Sequence, residues 1–149
     1  MNLDRETELL RSMPLFRAIT AARCKLVAMS SDRLEFQRDE VVYAEGQTST
    51  CVFIVLSGRV RATRGGADRV VELAQIGAGE LLGETGVITG RPRNATIAAI
   101  EPTAVLRIDG RVFVEMLQQV PELSFAMVRE LAERAERADD RVARVVADL

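Results

Sequence analysis

The segment Gly83–Thr96, GETGVITGRPRNAT, sets an acid beside glycine (Gly83, Glu84), then a short apolar turn (Val87, Ile88), then Arg93 ahead of Asn94 and Ala95. Closely spaced glycines leave backbone N–H groups open to a ligand, because no side chain blocks the approach. A short helix starting near Thr85 adds the positive end of its dipole. Arg93 brings a forked, permanently charged donor that suits a phosphate. Glu84 repels phosphate, so its natural partner is a hydroxyl. An anion site and a hydroxyl site side by side point to a ribose phosphate.

Taken singly, a Gly-Glu pair is common and an Arg-Pro-Arg tripeptide usually marks a solvated turn. The rest of the chain raises the odds. The segment resembles the phosphate-binding cassette of the cyclic-nucleotide-binding domain family, found in kinase regulatory subunits, gated channels and catabolite-activator-type regulators. Gly83-Glu84-Thr85-Gly86 and Arg93-Asn94-Ala95 are the residues that carry the likeness. Upstream, Pro14-Leu15-Phe16 before Ile19-Thr20, Glu45-Gly46, Leu56-Ser57-Gly58-Arg59-Val60 and Gly77-Ala78-Gly79-Glu80 are similar to its entry helix and barrel turns. Downstream, Ala104 to Arg107 leads into Asp109 and an apolar helix. The likeness covers roughly residues 10–135.

The resemblance implies Glu84 on the ribose 2′-hydroxyl and Arg93 on the cyclic phosphate. The backbone N–H groups of Gly86 and Ala95, with Asn94 and the neighbouring Gly83 and Thr85, complete the cradle. Ala62, Leu73 and Ala74 would face the base without selecting it, and cyclic AMP is the default ligand with cyclic GMP open. Thr85 stands where the family has an aliphatic residue, and Gly86 where it has alanine. Gly86 is expected to loosen the turn.

The fold class follows from the pattern: mainly β with flanking α, a jelly-roll β-barrel with N-terminal helices and a long C-terminal helix. Residues 1–32 read as a helical segment, 33–109 as the barrel with its cassette at 82–96, and 110–149 as lid or dimerisation helices. Pro14 stops a helix over 3–12, and Thr20 caps a second one. Short β-rich runs follow, at Val41–Tyr43, Val52–Leu56, Val70–Leu73, Ile97–Ile100 and Ala104–Ile108, separated by glycine turns. Arg59, Arg61 and Glu72 read as a solvated strand face.

Pro121 opens a helix running to the chain's end. Val128, Leu131, Ala135, Ala138, Val142, Val145 and Leu149 form a heptad seam, supported by acid-first pairs Glu130–Arg134, Glu133–Arg137 and Asp140–Arg144. The seam either packs on its own barrel as a lid or joins a second copy through residues 128–149. The homodimer is favoured, with Arg134 at a g position reaching Asp139 at an e position of the partner. Gly110 is the expected hinge.

Composition bounds the rest. The 149 residues suit one domain, with an aliphatic core: 48% hydrophobic but only 4% aromatic. A net charge of −2 argues against a nucleic-acid footprint, and Lys25 is the sole lysine among 20 basic residues. A polar N-terminus (Asn2, Asp4, Arg5, Glu6) and the lack of an apolar run of ~20 residues suggest a cytoplasmic protein without a membrane span. Cys24 and Cys51 read as buried thiols. The chain holds no histidine, so neither a general base nor a metal-dependent barrel enzyme is expected, and no cofactor. No DNA-binding helix-turn-helix is read here. The effector is expected in a longer regulator or in a partner protein. A degenerate domain that serves only to dimerise or bind protein is the alternative to a sensor.

Overall fold

Seven successive residues of Cys51–Ser57, CVFIVLS, are apolar or small, and the five from Val52 to Leu56 are all buried. A strand that faces water on one side alternates; one covered on both faces reads as continuous apolar sequence. This strand is the centre of the molecule. The computed structural model describes residues 3–149; Met1 and Asn2, where the expected N-terminal segment begins, lie outside the described residues.

In chain order the elements are α1 (Leu3–Ser12), a 3₁₀ turn (Pro14–Phe16), α2 (Ala21–Met29), β1 (Ser31–Phe36), β2 (Val41–Tyr43), β3 (Cys51–Ser57), β4 (Arg59–Gly65), β5 (Val70–Gly77), β6 (Leu81–Leu82), α3 (Glu84–Thr89), β7 (Thr96–Ala99), β8 (Thr103–Asp109), α4 (Gly110–Gln119) and α5 (Pro121–Ala147). The eight strands form two antiparallel four-stranded sheets, ordered β1-β8-β3-β6 and β2-β7-β4-β5. That is the jelly-roll expected from the spacing of strands and turns.

Alternation along β3 and β8 divides the core in two. Val52, Ile54, Leu106 and Ile108 face the helices, where they meet Leu10, Phe16, Val27, Phe113, Leu123 and Met127. Phe53, Val55 and Val105 face inward with Leu82 of their own sheet and meet Val60, Ala62 and Ile97 from the other sheet. Phe113 is fully buried and fastens α4 to the barrel; burying such a ring contributes about 1.5–3 kcal/mol. β5 is an edge strand, and its outer residues Val70, Val71 and Leu73 are exposed.

Local chemistry sets the helix boundaries. Thr20 accepts a hydrogen bond from the Arg23 N–H and caps α2, as expected. Asp109 does the same for α4 through the Arg111 N–H at 2.9 Å. The Gly110 N–H donates to the Thr50 carbonyl at 2.9 Å, and a Cβ there would lie 2.9 Å from the same oxygen. The expected hinge at Gly110 is therefore a packed joint. The chain bends instead at Val120, extended at φ −120° and ψ 90°, because Pro121 disfavours helical geometry in the residue before it.

α5 runs 27 residues, about 40 Å. Its proximal half packs on the core through Leu123, Met127 and Leu131. Apart from Leu131, the heptad seam stays off the barrel: Val128 is 62% exposed, Val142 62% and Val145 64%. Cys24 is buried, and burial pushes its thiol pKa up against the opposing pull of Arg11. Cys51, expected to be buried as well, is only half-buried, because it opens β3 at the rim of the sheet.

Candidate functional site

Gly83 joins β6 to α3 in the left-handed region, at φ 80°, where other residues are strained. A Cβ at Gly83 would also run into the Arg93 guanidinium. The glycine therefore serves two ends, turning the chain and letting the arginine pass beneath it. Glu84 follows as the first residue of α3, its carboxylate 3% exposed at the positive end of the helix.

Gly86 has no room for a side chain. A Cβ would lie 2.8 Å from the Ser49 Cβ and 2.9 Å from the Arg91 carbonyl oxygen, and Ser49 Oγ would be closer still. The Ser49 hydroxyl donates to that same Arg91 carbonyl at 2.7 Å, tying the β2–β3 loop to the cassette. The expectation that Gly86 loosens the turn is thus corrected: the glycine admits a tighter approach of two segments.

Arg93 crosses the floor of the site, 5% exposed. Its backbone is pinned on both sides, the N–H to Gln47 O and the carbonyl to the Gly46 N–H, each at 2.8 Å. Nη1 donates to the Gly83 carbonyl at 2.9 Å and Nη2 to the Cys51 carbonyl at 2.6 Å. The guanidinium lies 4.2 Å above the Tyr43 ring, which itself stacks on Phe53. Burial pushes the Tyr43 phenol up to about 12, although Arg93 pulls the other way. Among the described residues Arg93 has no carboxylate in ion-pair range, and its buried Nε has no hydrogen-bond partner. A buried cation with an orphaned donor is costly unless an anion arrives.

All ten residues expected at the site border one cavity of about 570 Å³. Gly83, Glu84, Thr85 and Gly86 form one wall; Arg93, Asn94 and Ala95 form the floor; Ala62, Leu73 and Ala74 from β4 and β5 form an apolar wall. The Asn94 carbonyl accepts from Arg64 Nε at 2.8 Å, which steadies the floor. The remaining side comes from α5, the helix expected as a lid or a dimer contact; the sequence did not reveal which of its residues face the cavity.

From α5, the Arg134 guanidinium donates to the Glu84 carboxylate and, at 2.9 Å, to Glu130. Burial works against the Arg134 charge, yet the two carboxylates together outweigh it and hold its pKa above the usual value. Arg134 is therefore committed to the pocket rather than free for Asp139 of a second copy. Of the three acid-first pairs expected along α5, Glu130–Arg134 forms. Glu133–Arg137 and Asp140–Arg144 do not close among the described residues, since exposed arms gain little from pairing in water.

Residues 33–120 match the family model described as the cyclic nucleotide-binding domain. The chain belongs to that family. Its eight-stranded jelly-roll is the fold of a cyclic nucleotide-binding domain. An uncharacterised NTE family protein of Mycobacterium tuberculosis is 29% identical over 123 residues, 83% of this chain and 21% of the relative. The cyclic AMP receptor protein of Thermus thermophilus is 26% identical over 133 residues, 87% of this chain and 61% of the relative. The regulatory domain of Toxoplasma gondii PKA, crystallised with cAMP, superposes with a TM-score of 0.78 at 20% identity, covering 88% of this chain and 50% of that one. The chain thus spans about a fifth of the mycobacterial relative's length.

In this cyclic nucleotide-binding domain, Tyr43 and Arg134 are among the pocket residues that sequence reading missed. Tyr43 sits alone in a short strand, and Arg134 looks like one more charge on a helical face. Among the described residues no three His, Cys, Asp or Glu side chains gather as a metal site, and no helix is long and apolar enough to cross a membrane.

Proposed function

We propose that the chain is a non-catalytic cytoplasmic sensor that binds a 3′,5′-cyclic nucleotide, with cyclic AMP accommodated, and passes the event to α5. The buried, unpartnered Nε of Arg93 at the floor of an open cavity carries this reading. The cyclic phosphate completes the hydrogen bonding of Arg93 while Nη1 and Nη2 stay on Gly83 and Cys51. The first-turn N–H groups of α3 assist. Glu84 accepts from the ribose 2′-hydroxyl, and Ala62, Leu73 and Ala74 cover the base without hydrogen bonds that would select it.

Transmission follows from the shared carboxylate. Glu84 is now held by Arg134; a ribose hydroxyl on Glu84 changes what Arg134 gains from staying. A ligand shifts such an equilibrium only by its differential affinity for the two arrangements. The bend at Val120–Pro121 is where α5 would pivot. The exposed seam Val128, Val142 and Val145 supports a homodimer through residues 128–149, with the effector in a further segment or partner. The same exposed seam, with Glu84 already satisfied, favours a second reading: a pairing module that ignores nucleotides.

Thermal melting with cyclic AMP, cyclic GMP and 5′-AMP separates these. A cyclic nucleotide at a hundredfold excess over its Kd should stabilise the chain by about 2.7 kcal/mol. 5′-AMP should do little, and Arg93→Ala should abolish the effect. A wild-type melt indifferent to every cyclic nucleotide would leave only the pairing module.

A further inference from the structure

α5 turns a row of arginines toward the cavity. Arg134, Arg137, Arg141 and Arg144, spaced three, four and three, all border it. At 100° per residue they share one face, which adjoins the face that bears the exposed seam. Arg134 is engaged by Glu84 and Glu130. The other three have no ion pair or hydrogen bond among the described residues, and Asp140, which borders the same cavity, is not within ion-pair range of any of them. Like charges one turn apart on a helix repel each other. Three guanidinium groups on one face, none of them in an ion pair, favour an anion between them and the opposite wall.

The depth of the site accounts for one anion only. Arg93 lies on the floor with its Nε open, whereas the three arginines lie on the rim contributed by α5. A cyclic mononucleotide carries a single negative charge, and Arg93 uses it. The cavity of about 570 Å³ is continuous from that floor to the α5 rim. Building on the nucleotide reading above, we infer that Arg137, Arg141 and Arg144 form a second anion subsite, so that the preferred ligand is a nucleotide with two separated phosphates. The first phosphate sits on Arg93; the second lies under α5 and draws the helix onto the cavity. Two sources share this chemistry, a cyclic dinucleotide and a linear nucleoside bisphosphate.

Calorimetric titration of the whole chain with cyclic AMP, cyclic di-AMP and adenosine 3′,5′-bisphosphate tests the subsite. At low salt, one of the two-phosphate ligands should bind at least about tenfold tighter than cyclic AMP, and raised salt should shrink the gap. Whichever of the two gains identifies the source. The combined change Arg137→Gln, Arg141→Gln and Arg144→Gln should erase the advantage while cyclic AMP affinity stays within about twofold. Lysine at the same three positions should keep much of it, since a point charge still attracts phosphate. These side chains are exposed, so the variants should melt like the parent. Equal affinity for one- and two-phosphate ligands, or an advantage that survives the glutamines, overturns the subsite and leaves the sensor intact. If no nucleotide binds at all, both readings fall.

Discussion

The Arg134 guanidinium donates to the Glu84 carboxylate across fifty positions of sequence, joining the C-terminal helix to the cassette. Glu84 is 3% exposed, and its carboxylate is met by this donor at the N-terminus of the helix it opens. Within the proximal half of α5, Arg134 is the cation that borders the cavity beside the cassette, and it arrives there already paired.

Removing that cation should therefore destabilise the resting protein. Arg134→Ala leaves a buried carboxylate without its donor, which costs about 1–3 kcal/mol. The lower end is expected, because the Arg134 side chain is 34% exposed. Urea unfolding of Arg134→Ala, Glu84→Gln and the double variant would measure the coupling. A coupling near zero would show that the contact holds nothing together.

Gly86→Ala gives a prediction whose sign is decisive. Were the glycine merely flexible, alanine would stabilise the fold by about 0.4–1 kcal/mol. Because a Cβ would press on Ser49 and on the Arg91 carbonyl, destabilisation of about 1–3 kcal/mol is expected instead. Ser49→Gly in the same background should recover part of the loss. Melting temperatures of the three proteins settle the sign.

Tyr43 makes stability fall at alkaline pH. Its phenol titrates at about 12 when folded, against 10.0 for a tyrosine in water, chiefly because burial disfavours the phenolate. Between those values the unfolded chain has lost a proton that the folded chain keeps, so the contribution is complete below pH 10 and is lost as pH rises towards 12. Denaturant unfolding at about pH 9 and about pH 11 should show a drop in wild type larger, by about 1 kcal/mol, than in Tyr43→Phe. Equal drops would mean that the ring's surroundings do not discriminate against charge.

The seam predicts the state of assembly. Val142→Asp and Val145→Asp place carboxylates where two helices would meet, so a sedimenting dimer should become a monomer. Both side chains are largely exposed in the single chain, at 62% and 64%, so the monomer's own fold should be indifferent. A wild-type chain that sediments as a monomer at all concentrations would remove the dimer.

Much of the architecture was legible because its causes are local. The cap at Thr20, the stop at Pro14, the opening of α5 at Pro121 and the glycine turns act over a few residues. The unbroken apolar run of β3 announces a strand covered on both faces before any partner is known. The cassette was legible for the same reason: Gly83, Glu84 and Arg93 belong to one short segment whose residue types fit one chemistry. β1 and β6 were harder to see. β1 alternates charged residues on a half-exposed strand, and β6 is only two residues long.

Sequence by itself therefore determined the barrel, its family and the segment that forms the cavity floor. Tertiary structure alone decided what stands opposite: Arg134 on Glu84, Tyr43 beneath Arg93, Ser49 against Gly86, and the arginine row of α5 along the rim. Those neighbours lie between 37 and 50 positions apart in the three contacts. No periodicity or spacing encodes such meetings, because they depend on how two sheets stack and where a helix returns after Val120. A charge on a helix looks alike to the sequence whether it meets water or a buried carboxylate; only the packed fold distinguishes them, by removing the water.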